Sequence, residues 1–414
     1  MKRKIINKIK ALSTATTVKI ILLALPLSVL LFADIKNGIF KWRDLFETSI
    51  IFTFILAVFC EGIAEIIKKA VEKKYEDFSK LTQDYSGLVK KYARAHLEVY
   101  DNITFPIINL AFRKETEESF EIEILQKNEN KRYELPILVQ QNANDIMQAH
   151  KHSVLYNNMC IRLDDFIKHE NHISLTYSHT MYFDSMLTNR AMDFEWKNGQ
   201  TIREVYEPGP FVFPLKNSRL SNHLGFNGFV ETKDNKLIFI KRDKRNSIAK
   251  RTLGTSIGAS MKTQYALDND GRWSVIGIRA AIRGEIKDEL YLDIDPTVEL
   301  EKTIFAFYRD VVEGGKPQFL FYYKSDKTSQ EISNNFMPTM TDKNTAKVDG
   351  ELIFFEKEDV LNCKVSNEYI ALCENLPKNI RKLSQKEAEA YGIYSTVPST
   401  AISLIYVKKY LQNK

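Results

Sequence analysis

Glu285, Asp288 and Glu289 stand three and four residues apart in the stretch IGIRAAIRGEIKDELYL, which runs from Ile276 to Leu292. A helix turns about 100° per residue, so Ile278, Ile282, Ile286 and Leu290 would line up as one apolar stripe. Glu289 falls inside the edge of that stripe, Glu285 just beside it and Asp288 farther round. A carboxylate at such an edge is held against the protein body, where a hard oxygen-seeking cation such as magnesium pairs with it. Acidic residues that edge an amphipathic helix also reach water by snorkelling, so both readings stand. Arg242 and Arg279 are the candidates for phosphate contacts, because the guanidinium fork matches phosphate oxygens. Ordinary ion pairs are the alternative for each. No residue is assigned a catalytic role.

Several elements are needed to position these groups. From His223 the chain reads HLGFNGFVETKDNKLIFIKR. Phe226 to Thr232 reads as a strand, Asp234-Asn235 marks a turn, and Leu237 to Ile240 is the return strand, leading into Lys241 and Arg242. Gly254 and Gly258 mark tight backbone near a third strand. The helix follows. Beyond it, Thr303–Val312 and Gln318–Tyr323 read as strands around Glu313-Gly314-Gly315, with a short strand at Leu352–Phe355. Ser384–Tyr391 carries a capping box, and Ala401–Leu411 is a helix or a strand.

This order of hairpin, basic strand end, glycine-bearing strand and acidic helix resembles a Nudix domain. In that family a glycine pair precedes a helix of the form AAxRExxEExG, whose carboxylates bind magnesium against a diphosphate. Ala280, Ala281 and Ile282 open the helix in that style, and Glu285, Asp288 and Glu289 fall on the three acidic positions. The chain departs from the pattern at four places. Gly284 replaces the arginine, Ile276 the upstream glutamate and Tyr291 the closing glycine, and Gly258-Ala259 stands for the glycine pair. The resemblance spans Lys216 to Lys324 and implies a Nudix-like α/β/α sandwich with a degenerate box, a sensor more than a hydrolase.

Ahead of this body lie two apolar runs, Val18–Asp34 and Thr48–Lys69. A spanning helix needs roughly 20 mostly apolar residues. Both runs sit at the short end of that range, and the first reaches full length if Lys19 snorkels. Lys2, Arg3, Lys4, Lys8 and Lys10 precede the first run; Lys68, Lys69, Lys73 and Lys74 follow the second. The positive-inside rule then predicts a two-pass hairpin in the inner membrane with both termini cytoplasmic. Pro26 kinks the first helix. Glu61 and Glu65 share one face near the inner end of the second, as pore-lining groups or as residues already at the interface.

From Ala64 to Val99 the spacing becomes an a/d heptad seam: Ala64, Ile67, Val71, Lys74, Phe78, Leu81, Tyr85, Leu88, Tyr92, Ala95 and Val99. Gly87 weakens that helix by about 1 kcal/mol. The seam wants a partner, either the same helix of other subunits or the protein's own body. Pro106 then stops the helix. In the middle region Phe120–Ile124, Tyr133–Val139 and Ile173–Phe183 read as strands, Asn142–Asn158 as a helix, and Glu207-Pro208-Gly209-Pro210 as a boundary. His150, His152, His169, His172 and His179 fit no common ligand spacing and read as polar surface.

The chain has 414 residues, a formal net charge of +6 and four cysteines without a CxxC pair. That mild charge gives no nucleic-acid signature, and DNA is not an expected partner. Neither a zinc site nor a disulfide framework is suggested. The expected architecture is α+β: a basic tail over 1–17, transmembrane helices over 18–67, a heptad linker over 68–101, a middle domain over 102–215 and the Nudix-like domain over 216–414. This set is similar to membrane-anchored Nudix effectors of cyclic-oligonucleotide antiphage signalling (CBASS). The resemblance implies a cyclic nucleotide, made by a partner nucleotidyltransferase, as the activating ligand. It also implies a homo-oligomer acting on membrane lipid. The alternative is a membrane-tethered, magnesium-dependent hydrolase of nucleoside diphosphate derivatives.

Overall fold

The structure is a computed structural model that describes residues 84–126, 132–148, 156–242, 249, 251–341, 350–377, 379–380 and 383–412. Both apolar runs, the seam as far as residue 83, His150 and His152 lie outside the described residues. Among the described residues no helix is long and apolar enough to cross a membrane.

The fold is mixed α+β and is organised on one sheet. Its strands are β3 (Ile107–Phe112), β7 (Gly225–Glu231), β8 (Lys236–Arg242), β9 (Leu253–Gly254), β10 (Ile257–Ser260), β11 (Ile304–Asp310), β12 (Lys316–Lys324) and β13 (Gly350–Glu356). The order is β13-β8-β7-β12-β11-β3, with β10 on β7 and β9 on β8. β12 runs parallel to β7, whereas the neighbouring pairs are antiparallel. β7 and β8 meet at Glu231↔Leu237 and then part, β7 taking β10 as its partner and β8 taking β9. This split is where the polar groups collect.

Alternation along the strands sends side chains to two different cores. On one face, Phe226, Ile238, Ile240, Phe319 and Phe321 pack with Ile278, Ile282, Ile286 and Leu290 of the helix Val275–Leu290. On the other, Phe229, Phe239, Leu320 and Tyr322 pack with Ala401, Ile402, Ile405 and Tyr406 of the terminal helix Pro398–Leu411. Gly228 sits directly over the Phe321 ring, and a Cβ there would overlap that ring. The acidic stretch is thus a helix with the expected apolar stripe. Ser274 starts it by accepting a hydrogen bond from the Gly277 N–H, and Tyr291 ends it in the left-handed region.

Among the described residues three smaller sheets accompany it: the hairpin β1 (Val99–Tyr100) and β2 (Ile103–Thr104), the sheet of β4 (Glu121–Gln126), β5 (Met159–His169) and β6 (His172–Met181), and the sheet of β14 (Lys364–Val365), β15 (Tyr369–Ala371) and β16 (Ile393–Ser395).

Several expectations are corrected here. The boundary at 215/216 does not separate two cores. β3 joins β11 in the main sheet, and Ile161, Leu163, Leu175 and Tyr177 of β5 and β6 share one core with Phe226 and Ile282. Tyr133–Val139 is not a strand. The Pro136 carbonyl accepts the N–H groups of Val139 and Gln140, so the proline starts the helix Ile137–Gln148. The linker is not a continuous helix over its described part. Helix Ser86–Val89 stops, a 3-10 turn covers Arg94–His96, and Val99 enters a strand. The cause is packing: Leu88 and Tyr92 fold onto Leu97 and Val311 of the body. Ala401–Leu411, ambiguous by pattern, is helix, because burial on nearly every side removes its polar face.

Candidate functional site

The split between β7 and β8 gathers side chains that are distant in sequence. Asn227 on β7 donates from Nδ2 to the Tyr308 hydroxyl at 2.7 Å and to Gln318 Oε1 at 2.8 Å. Gly258 of β10 pairs with Asn227. Arg242 ends β8, with its stem against Gly254 and Nη1 about 4.0 Å from where a Cβ on Gly258 would stand. A Cβ at 254 or 258 would make only ordinary contact with this side chain, so its placement does not depend on glycine. From the helix, Glu289 Oε2 accepts the Gly258 N–H at 3.3 Å.

The floor below is a set of buried charges. Glu313, in the β11–β12 turn, pairs with Lys316 at 2.9 Å and with Arg190 at 3.8 Å. Burial raises the Glu313 carboxyl, but Lys316 and Arg190 outweigh it and hold the pKa below the ordinary value. Asp310 behaves in the opposite way. Burial, with Glu313 beside it, pushes its carboxyl up to about 7. His223, wholly buried, lies 3.0 Å from Ser260 Oγ, and burial with Lys316 and Arg190 nearby keeps its pKa well below the ordinary imidazole value. Arg190 also bonds the Tyr182 hydroxyl and stacks on that ring. Asn189 donates to the Glu313 carbonyl at 2.8 Å and so ties the turn to this floor.

Each expected carboxylate has a protein partner. Glu285, on the buried face of the helix, pairs with Lys262 Nζ at 2.6 Å. Burial lowers the Lys262 pKa, but Glu285 outweighs it and the ammonium is retained. Lys262 is placed by a bridge between its backbone and that of Cys160. Asp288 accepts from the Tyr265 hydroxyl at 2.7 Å. Glu289 holds the Gly258 N–H. A magnesium ion needs about six oxygens in near-octahedral array. Here Glu285 is committed to an ammonium, and among the described residues no group of three His, Cys, Asp or Glu side chains could hold a metal ion. Glu285, Asp288 and Glu289 are thus each engaged by a protein group.

Both arginines are engaged by protein groups. Arg242 stays in the split, within electrostatic reach of Glu313. Arg279 forks onto Glu301, Nε to Oε2 at 2.8 Å and Nη2 to Oε1 at 2.5 Å, and reaches Glu299 at 3.5 Å. It follows the ion-pair reading. Lys262, Arg190, Lys316, Asp310, Asn227 and Gln318 carried no signal by spacing. The Glu313-Gly314-Gly315 turn was visible, but its acidic residue's partners were not. His172 faces Glu123 at 3.3 Å and pairs across the strands with His169, in keeping with polar surface. Cys160 and Cys363 are free and buried.

No family model and no curated protein matches this chain. Among solved structures, the crystal structure of DR0079 from Deinococcus radiodurans is 16% identical and covers 34% of this chain and 70% of that one, with a TM-score of 0.21. That likeness carries no functional argument.

Proposed function

We propose that the chain is a membrane-bound effector of antiviral (CBASS) signalling, anchored in the inner membrane by its two apolar runs. Its Nudix-like α/β/α body binds a cyclic nucleotide, and binding drives self-assembly that disrupts the bilayer. The observation that carries the sensor reading is the Lys262–Glu285 pair at 2.6 Å. A protein cation balances the carboxylate that the Nudix resemblance assigns to magnesium, which favours a sensor over a hydrolase. The Arg242 guanidinium at the split is the candidate for the phosphate oxygens of such a ligand. The membrane anchor rests on the two apolar runs and their basic flanks, and the messenger on the sequence resemblance. A ligand shifts such a chain only by binding the assembled state more tightly than the resting one.

The test uses the full chain in detergent. Titration calorimetry with a panel of cyclic di- and trinucleotides in EDTA should show binding, and light scattering should show a larger mass when ligand is present. No binding and unchanged mass would overturn the proposal. Magnesium-dependent turnover of nucleoside diphosphate derivatives, lost on Glu289→Gln, would instead favour the tethered hydrolase. That second reading draws on Glu285, Asp288 and Glu289 sharing one helix.

A further inference from the structure

Tyr85, Leu88 and Tyr92, three described residues of the heptad seam, fasten the linker to the body. Seam positions Tyr85 and Tyr92 are buried, and Leu88 is half-buried. Tyr92 and Leu88 pack with Leu97 on Val311, in the turn that follows β11. Three polar ties reinforce the contact. The Tyr92 hydroxyl donates to the Glu207 carbonyl at 2.8 Å. Arg203 donates to the Tyr92 hydroxyl at 3.0 Å and to the Val311 and Val312 carbonyls at 2.9 and 2.8 Å. Ala93 N–H donates to the Pro210 carbonyl at 2.8 Å. Gly209, at φ +88°, lets the Lys91 carbonyl approach so closely that a Cβ at 209 would overlap it.

The same stretch has a second use written in it. A continuous helix would put Tyr85, Leu88, Tyr92, Ala95 and Val99 on one face. In the docked form that face is divided: the first three are turned into the body, whereas Ala95 is exposed and Val99 is 42% exposed. No proline lies between Ser86 and Phe105 to forbid the helix. A seam side chain cannot face the body and a neighbouring helix at once.

We propose that the seam from Tyr85 to Val99 is a docking surface for the same seam of a second copy of this chain, and that the body holds it closed in the resting state. The β11–β12 turn is the latch, because it touches both partners. Val311 meets Tyr92, and two residues on, Glu313 meets Arg190 and Lys316 in the floor of the candidate site. A group that displaced Glu313 from its cations would move the turn and loosen the linker. This regulation rests on the proposed function, in that the state of the body controls assembly.

The test adds no nucleotide, so it stands or falls apart from ligand binding. The full chain in detergent is compared with Gly209→Ala, which clashes with Lys91 and leaves the seam intact, and with Tyr92→Phe, which removes the hydroxyl ties. Release is read by trypsin cleavage at Lys90 and Lys91, and assembly by light scattering. Both variants should cleave faster, with the released population of each chain rising about tenfold, the effect of about 1.4 kcal/mol of lost docking, and the assembled fraction at fixed concentration should rise with it. Adding Leu88→Glu to Gly209→Ala should abolish the rise. Unchanged cleavage in both variants would show that there is no clamp. Faster cleavage without a mass increase, or a mass increase that survives Leu88→Glu, would show that the seam is not the assembly surface. Any of these results overturns the proposal.

Discussion

The Lys262 ammonium lies 2.6 Å from Glu285 Oε1, with the Glu285 side chain only 3% exposed and that of Lys262 24% exposed. The pair links the strand edge after β10 to the middle of the helix Val275–Leu290. It neutralises a carboxylate that the apolar stripe has drawn into the body. A buried charge without its partner is costly, whereas a neutral side chain of similar shape is tolerated.

Lys262→Met should therefore destabilise the protein by about 3 kcal/mol, the lower end of the range for breaking a buried pair, because Lys262 reaches solvent. Lys262→Met combined with Glu285→Gln should recover most of that loss. Urea denaturation of the two single variants and the double variant measures the coupling. Equal, additive losses would mean that the two side chains do not depend on each other.

The pH profile follows from two raised carboxyls. Burial pushes Asp310 and Glu207 each up to about 7. A raised folded pKa means that the folded state holds the proton more tightly than the unfolded chain. The stabilisation is complete below the ordinary carboxylate range and is lost as pH rises to about 7. Glu313 is lowered and acts oppositely, losing its contribution only in more acid solution. Melting temperature should fall between pH 5 and pH 8. Asp310→Asn should flatten the fall and melt higher than the parent at pH 8. A variant that keeps the parent slope would remove Asp310 from this role.

The stripe assigns opposite weights to two isoleucines of one helix. Ile286 is fully buried and Ile276 is 70% exposed. Ile286→Ala should cost about 2–5 kcal/mol from lost burial and the cavity left behind. Ile276→Ala should stay within about 0.5 kcal/mol, as exposed substitutions do. Chemical denaturation of the two variants separates them, and similar losses would place the wrong face against the core.

The two arginines should also separate in ligand binding. Arg242→Met should weaken cyclic-nucleotide affinity by about 2 kcal/mol, in line with losing a charge-assisted hydrogen bond. Arg279→Met should leave affinity unchanged, since that guanidinium is forked onto Glu301. Calorimetry on both variants checks this; equal effects would move the phosphate seat away from the split.

Much of the local structure was legible because its cause is local. The Val275–Leu290 stripe, the turn between β7 and β8 and the Ser384 capping box with Glu387 all arise between residues a turn or less apart. Tyr133–Val139 misled for the opposite reason. Its apolar content suits a strand, but Pro136 also makes a good helix start, and only the packing of Val139 and Ile146 with Leu187 and Trp196 decides between them. The terminal helix was ambiguous because a segment buried all round shows no period.

The site itself was legible only in part. Arg242 and the three carboxylates were marked by type and spacing, and of these Glu289 accepts the Gly258 N–H. Their partners were not marked. Lys262 is 23 residues from Glu285, and Arg190 is 123 residues from Glu313; such pairs leave no trace at helical or strand spacing.

The sequence by itself determined the periods: which faces of each helix and strand are apolar, where turns interrupt them, and that one seam repeats at three and four. Those follow from side-chain direction along a regular backbone. Only the tertiary structure decided who meets whom. The parting of β7 from β8 opens the split, the burial of Glu285 selects an ammonium as its partner, and Val311 turns the seam inward at Tyr92. Each of these depends on groups far apart in the chain competing for the same buried volume, and no local pattern records the outcome.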